Sequence, residues 1–195
     1  MASLYECEVR YTITDIRSFT DTLQKLGARL AYPYAFTDYY FVPGEKAWDP
    51  LEKNLRIREW QTPENPTTVY FVKNEIITSD DVQCKRALYP DGKVPLMSAD
   101  RETCARVLAD LGFIPWITVK KERASFWEVP KYDFKTVTEY IEGLGWTGEL
   151  EFEGSDIKRA QTKIQKALAL LNIPKEAVSE KPVSVLYAEQ VGHFR

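Results

Sequence analysis

Residues 5–11 read Tyr-Glu-Cys-Glu-Val-Arg-Tyr and sort by parity, with Tyr5, Cys7, Val9 and Tyr11 in one set and Glu6, Glu8 and Arg10 in the other. A period of two is the signature of a strand, whose successive side chains project to opposite faces. Similar short runs rich in Tyr, Val, Ile, Phe and Thr predict strands at 3–11, 36–42, 54–61, 67–75, 82–88, 115–128, 135–142 and 148–154. A period near 3.6 occurs three times. Ile16, Phe19, Leu23 and Leu26 predict a helix over 15–26 that stops at Gly27. Ser98 is placed to cap a second helix running to Leu111, before Gly112. Ser155 is placed to cap a third with the stripe Ile157, Ala160, Ile164, Leu168 and Leu171, ended by Asn172 and Pro174. Loops fall at 43–50, 62–66 and 89–95, and none is long enough for a domain linker. The pattern predicts one mostly β domain over 1–195, with helices outside.

Charge is sorted among these strands. Paired acids occupy Glu6-x-Glu8 and Glu149-x-Glu151. Paired bases occupy Arg56-x-Arg58 and Lys121-x-Arg123, while Lys73 shares a face with Val69 and Phe71. Like charges two apart on a strand repel unless an opposite charge lies between them. Carboxylate pairs suit a hard divalent cation, and guanidinium and ammonium groups suit an anion. A polyphosphate with bound Mg²⁺ or Mn²⁺ satisfies both. The expected interior sets Glu6, Glu8, Glu149 and Glu151 against Arg10, Arg56, Arg58, Lys73, Lys121 and Arg123, with the apolar faces turned outward under the helices. Trp48 and Trp60 flank the Arg-x-Arg strand and offer rings for stacking on a base.

Composition narrows the alternatives. The 195 residues are 44% hydrophobic and 28% charged, an ordinary globular balance. The net charge of −3 argues against a broad nucleic-acid surface. Cys7, Cys84 and Cys104 are odd in number and fit no zinc spacing, so they read as reduced thiols in a cytoplasmic protein. Neither a signal peptide nor an apolar run of membrane-spanning length is visible, and no membrane partner is expected. The only histidine is His193, which reads as an exposed tail residue and argues against a Ser-His or Cys-His nucleophile. Neither GxxxxGK[ST] nor GxGxxG is present.

Taken in order, these segments resemble the CYTH family, the triphosphate tunnel metalloenzymes, which include class IV adenylate cyclases, thiamine triphosphatases and inorganic triphosphatases. The opening Glu-x-Glu-x-Lys signature reads Glu6-Cys7-Glu8-Val9-Arg10. It is followed by Asp38-Tyr39-Tyr40-Phe41, Leu55-Arg56-Ile57-Arg58, the run ending Lys73-Asn74, Lys121-Glu122-Arg123, and Leu144-Gly145 before Glu149-Leu150-Glu151. The resemblance implies an α+β fold: a closed eight-stranded antiparallel β-barrel tunnel with helices packed outside, holding a triphosphate. It implies metal ligation by Glu6, Glu8, Glu149 and Glu151, catalytic roles for Glu6, Glu8, Arg10 and Lys73, and phosphate binding by Arg10, Arg56, Arg58, Lys73, Lys85, Lys121 and Arg123. Three departures stand out. Arg10 replaces a lysine, Gln83 and Lys85 replace an acidic pair, and Pro182-Val183-Ser184-Val185 replaces a late Ser-Tyr signature. The expected activity is metal-dependent hydrolysis of an inorganic or organic triphosphate, with water as nucleophile. Conversion of ATP to cyclic AMP and pyrophosphate is one alternative, and non-catalytic binding of a polyphosphate or nucleotide is another. A monomer or homodimer is compatible with the sequence.

Overall fold

The computed structural model describes residues 5–192 apart from 63, 80, 81, 90, 91 and 155. The side chains of 5, 6, 78, 79, 82–85, 153 and 154 also lie outside the described set. Eight antiparallel strands form its frame: β1 (Tyr5–Thr12), β2 (Arg29–Pro43), β3 (Lys53–Trp60), β4 (Thr68–Ser79), β5 (Val82–Ala87), β7 (Phe113–Val129), β8 (Phe134–Ile141) and β9 (Gly145–Gly154). They are hydrogen-bonded in the order β1-β5-β4-β3-β2-β7-β8-β9, and β9 pairs back onto β1 from Tyr5↔Gly154 to Thr12↔Thr147. The sheet therefore closes into a tunnel and leaves no open edge among these eight strands. Two short strands lie off the ring: β6 (Val94–Ser98) on β4, and β10 (Val178–Ser179) on β1.

Among the described residues four α-helices cover the outside: α1 (Ile16–Lys25), α2 (Arg101–Asp110), α3 (Ile157–Leu170) and α4 (Val183–Gln190). Their apolar stripes meet the outward faces of the strands. Cys7, Val9 and Tyr11 of β1 pack with Phe19 and Leu23 of α1 and with Ala160, Ile164 and Ala167 of α3. Leu55, Ile57 and Val69 pack with Cys104 and Leu108 of α2. Val119 and Ile141 pack with Val183 and Ala188 of α4. Burying these aliphatic and aromatic side chains contributes roughly 1.5–3 kcal/mol each relative to exposure.

The helix caps differ from the sequence reading in two places. Asp100, not Ser98, caps α2, accepting from the Thr103 amide at 2.8 Å, whereas Ser98 ends β6 and bonds Thr68. Asp156 caps α3 through the Arg159 amide at 3.1 Å; Ser155 lies outside the described residues. A carboxylate at the N-cap accepts an orphan amide and also favours the positive end of the helix dipole. α1 begins at Asp15 as its pattern predicts, and Gly27 beyond it takes φ +78, a conformation that suits a residue lacking Cβ. β2 starts seven residues earlier than expected, and β6, β10 and α4 were not legible at all.

Gly148 has a packing reason. A Cβ there would sit 2.3 Å from the Tyr11 ring. That ring lies against the glycine, and its hydroxyl is hydrogen-bonded to Thr136 Oγ1 at 2.6 Å, tying β1 to β8 across β9. Cys7 and Cys104 are buried; Cys84 and His193 fall outside the described side chains. Among the described residues no helix is long and apolar enough to cross a membrane.

Candidate functional site

The tunnel interior is a polar cavity of about 340 Å³. Strand parity decides what enters it. On β1, Glu8 and Arg10 face inward while Cys7 and Val9 face the helices. On β2, Tyr34, Phe36, Asp38 and Tyr40 face inward; on β3, Asn54, Arg56, Arg58 and Trp60 do so. β9 contributes Glu149 and Glu151, β7 contributes Lys121, and β8 contributes Lys135 and Glu139. Six basic and five acidic side chains thus line the cavity among the described residues, counting Lys93.

Two buried clusters organise these charges. In the first, Glu139 is 2% exposed and accepts from Lys121 Nζ at 2.6 Å, Tyr34 OH at 2.6 Å and Arg10 Nη1 at 2.9 Å. The other nitrogen of the Arg10 fork is paired with Glu149, its cross-strand neighbour. Burial alone would raise the Glu139 carboxyl, but Lys121 and Arg10 outweigh it and hold it below the ordinary carboxylate value. Burial lowers Lys121, and Glu139 opposes that shift. Burial and Glu139 raise the Tyr34 hydroxyl, which stays a donor.

In the second cluster, Asp38 receives a bidentate bond from Arg58, at 2.8 Å from Nε and 2.7 Å from Nη2. Arg56 Nε stands 3.3 Å from the same carboxylate without hydrogen-bond alignment, and Arg56 Nη1 donates to Asn54 Oδ1 at 2.6 Å. Burial pushes Asp38 up, but Arg58 and Arg56 reverse this and leave its pKa lowered. The Arg58 guanidinium also lies 3.6 Å over the Phe36 ring, which fixes its plane.

The structure brings together most of the residues expected from sequence. Glu8, Arg10, Arg56, Arg58, Lys121, Glu149 and Glu151 all line one cavity. Lys73 does not. It stands with Val69 and Phe71 on the outer face of β4, and the inward positions are Tyr70, Val72 and Asn74. Arg123 is also outside, exposed and 4.1 Å over the Tyr140 ring. A register shift between Lys121 and Arg123 breaks the two-residue alternation that would have placed them together. Trp48 packs against Phe71 and Phe113 under α2, whereas Trp60 lines the cavity. The side chains of Glu6, Gln83 and Lys85 lie outside the described residues.

Glu139 and Asn54 were not singled out in the sequence, and Asn74 and Ser184 were named only within family segments, with no role assigned. Glu139 carried a weak signal, since it shares strand parity with Lys135 on the strand beside the Lys-x-Arg run.

The carboxylates suit a hard divalent ion in part. Glu8 and Glu151 are direct cross-strand partners and both line the cavity, which sets hard oxygen donors side by side. No three acidic, histidine or cysteine side chains among the described residues group closely enough to hold an ion alone. A Mg²⁺-type ion uses one or two carboxylates and takes its other ligands from substrate phosphates and water.

The solved structures similar to this one share its fold at low sequence identity. A Pyrococcus horikoshii protein superposes with a TM-score of 0.71 at 18% identity, covering 95% of this chain and 99% of its own. A candidate adenylate cyclase from Vibrio parahaemolyticus gives 0.66 at 13%, covering 97% and 99%. A candidate adenylyl cyclase from Hippeastrum, whose dominant activity is that of a triphosphatase, gives 0.62 at 12%, covering 98% and 97%. No curated protein matches the chain. The model of the CYTH domain matches residues 4–181. With its closed ring of charged strands, the chain belongs to the CYTH family.

Proposed function

We propose that the chain hydrolyses a triphosphate, inorganic or organic, inside the tunnel, with Mg²⁺ or Mn²⁺. The observation that supports this best is the placement of the doubly basic Asp38 cluster in the same cavity as the opposed carboxylates Glu8 and Glu151. Arg56 and Arg58 together exceed the charge of Asp38, so a phosphate group is attracted there and held by planar forks. Lys93 and Lys135 add positive charge along the lining. Arg10 and Lys121 are anchored by Glu139 and act as fixed positive poles rather than mobile clamps.

Glu8 and Glu151 would hold the metal together with substrate oxygens and water; Glu6 and Glu149 belong to the same proposed set from the family signature, Glu149 being shared with Arg10. When bound, the metal neutralises phosphate charge and makes water a stronger nucleophile. Water attacks the terminal phosphorus, the bridging P–O bond breaks, and orthophosphate leaves together with pyrophosphate from inorganic triphosphate, or with the corresponding diphosphate from an organic one. The charge that builds on the leaving oxygen is offset by guanidiniums already oriented before the reaction.

A second reading, cyclisation of ATP, is favoured by Trp60. Its ring lines the cavity beside Arg58 and Phe36 and offers a surface for a base. The Hippeastrum protein bears a cyclase name and a dominant triphosphatase activity, and the same balance is proposed here.

Product analysis by phosphorus NMR tests the proposal, with ATP and inorganic triphosphate supplied separately with Mg²⁺ or Mn²⁺. Orthophosphate from triphosphate, absent under chelator, is the expected result. Cyclic AMP and pyrophosphate as the main products from ATP would replace it with the cyclase. Binding without turnover in any divalent metal would make the chain a polyphosphate-binding module.

A further inference from the structure

One end of the tunnel carries polar groups that the ion clusters do not use. Asn74 is 3% exposed and lines the cavity, yet neither its amide nitrogen nor its carbonyl oxygen has a protein partner. Ser184 is completely buried, lines the same cavity, and its hydroxyl is also without a partner. Arg56 Nε is a third buried group without an aligned acceptor. Buried polar groups are nearly always satisfied, so several facing one cavity indicate a ligand whose pattern they match.

Contacts place these groups at one level. Tyr40 packs with Val183 at the start of α4. Tyr40 lies opposite Arg56, Arg56 bonds Asn54, and Asn54 lies opposite Val72, two residues from Asn74. α4 begins here without a side-chain cap, because Pro182 precedes it. α1, α2 and α3 each have an aspartate in that role. The amides of Val183 and Ser184 therefore have no intrahelical acceptor, and the positive end of the helix dipole meets the cavity.

We propose that this end of the tunnel binds the terminal phosphate of a linear polyphosphate, through Asn74, Ser184, Arg56 and the first-turn amides of α4. The inference rests on the reading that the tunnel holds a polyphosphate. The donor and acceptor pattern selects a terminal group over an internal one. Asn74 nitrogen, Ser184 hydroxyl and Arg56 Nε donate to phosphate oxygens. Asn74 oxygen accepts, which suits a P–OH. A terminal phosphate has a third non-bridging oxygen and, with a second pKa of about 6, keeps a proton in a minority of molecules at pH 7 that this acceptor would hold, whereas internal phosphates have no proton to give. Asn74 is thus the inward neutral residue on the strand where Lys73 points away, and it reads the end of the substrate instead of adding charge.

Two probes separate the possibilities: a methylene-bridged, non-hydrolysable linear triphosphate and cyclic trimetaphosphate, which has no terminal group. Both are titrated calorimetrically with Mg²⁺ into wild type, Asn74→Leu and Ser184→Ala. Asn74→Leu is expected to weaken the linear probe about ten-fold, the loss of one or two hydrogen bonds, and to leave the ring unchanged. Its ligand-free melting temperature is expected to stay level or rise, because an unpaired buried amide is removed. Ser184→Ala is expected to weaken the linear probe several-fold, and it carries the test alone if Asn74→Leu does not fold. Equal weakening of both probes, or of neither, overturns the end site while leaving the tunnel reading intact. Failure of wild type to bind either probe overturns the tunnel reading and the end site with it.

Discussion

The two ion clusters inside the tunnel differ in their charge balance. Around Glu139, two cations meet two anions: Lys121 and Arg10 against Glu139 and Glu149. Around Asp38, two guanidiniums share one carboxylate. The first cluster is satisfied within the protein. The second keeps a surplus of positive charge and a guanidinium nitrogen without an aligned partner. A balanced buried network holds strands in register, whereas an unbalanced one is completed by a ligand. The comparison separates what the tunnel uses for its own integrity from what it offers to a phosphate.

The largest effects should fall on the balanced cluster. Glu139→Gln leaves Lys121 and Arg10 buried with reduced compensation, a change of about 3–5 kcal/mol in stability. For a chain of this length that lowers the melting temperature by roughly 10 °C. Added inorganic triphosphate should recover little of it. Asp38→Asn should cost less, and triphosphate should recover most of the loss, because an external anion takes the place of the carboxylate between Arg56 and Arg58. Thermal unfolding with and without triphosphate checks both. Equal recovery in the two variants would erase the distinction between the clusters.

Acid should act on both clusters. Asp38 and Glu139 have folded pKa values below their ordinary ones, because their cationic partners outweigh burial. A depressed carboxylate contributes stability that is fully present above its unfolded value of about 4 and is lost as pH falls through the folded value. Urea unfolding should therefore give a level free energy from pH 7 to about 5 and a decline below about 4. Glu139→Gln should make that decline shallower, and so should Asp38→Asn.

A smaller effect belongs to the outer face. Gly148→Ala places a methyl group against the Tyr11 ring and should cost about 1–3 kcal/mol by overpacking. Tyr11→Leu should remove most of that penalty in the double variant, so the two changes will not add. Additive losses would mean that the ring is not the obstacle.

The contrast between the faces also explains what could be read from the chain. Apolar alternation fixed seven of the eight ring strands to within a few residues, because each buries one face under helices with periodic stripes of their own. The start of β2 escaped because Leu30 and Tyr32 are exposed there and give no inside–outside contrast. α4 escaped because Val183, Ser184, Val185 and Ala188 are all buried, so its helical period is hidden. Within the site, Glu8, Arg10, Arg56, Arg58, Glu149 and Glu151 followed from parity on regular strands. Arg123 did not, since the irregular register after Lys121 shifts the pattern by a residue. Glu139 and Asn74 were hidden for a different reason: their meaning lies in partners, or the lack of them, on other strands.

Lys73 and Arg123 give the smallest expected effect and a sharp check on strand parity. Both look like phosphate ligands in sequence, and both stand outside the tunnel. Lys73→Gln and Arg123→Gln should each change triphosphate affinity by less than about two-fold at 0.15 M salt, where exposed charges more than about 8 Å away are largely screened. Arg56→Gln removes a buried guanidinium from the unbalanced cluster and should weaken the same ligand by at least about ten-fold, the worth of one charge-assisted hydrogen bond. Calorimetric titration at two salt concentrations distinguishes the classes, because the outer variants should converge on wild type as salt rises while Arg56→Gln should not. A loss at Lys73 as large as that at Arg56 would mean that β4 presents its other face to the substrate. Asn74 would then face outward, and the division between a balanced and an unbalanced interior would have to be redrawn with a lysine on the unbalanced side.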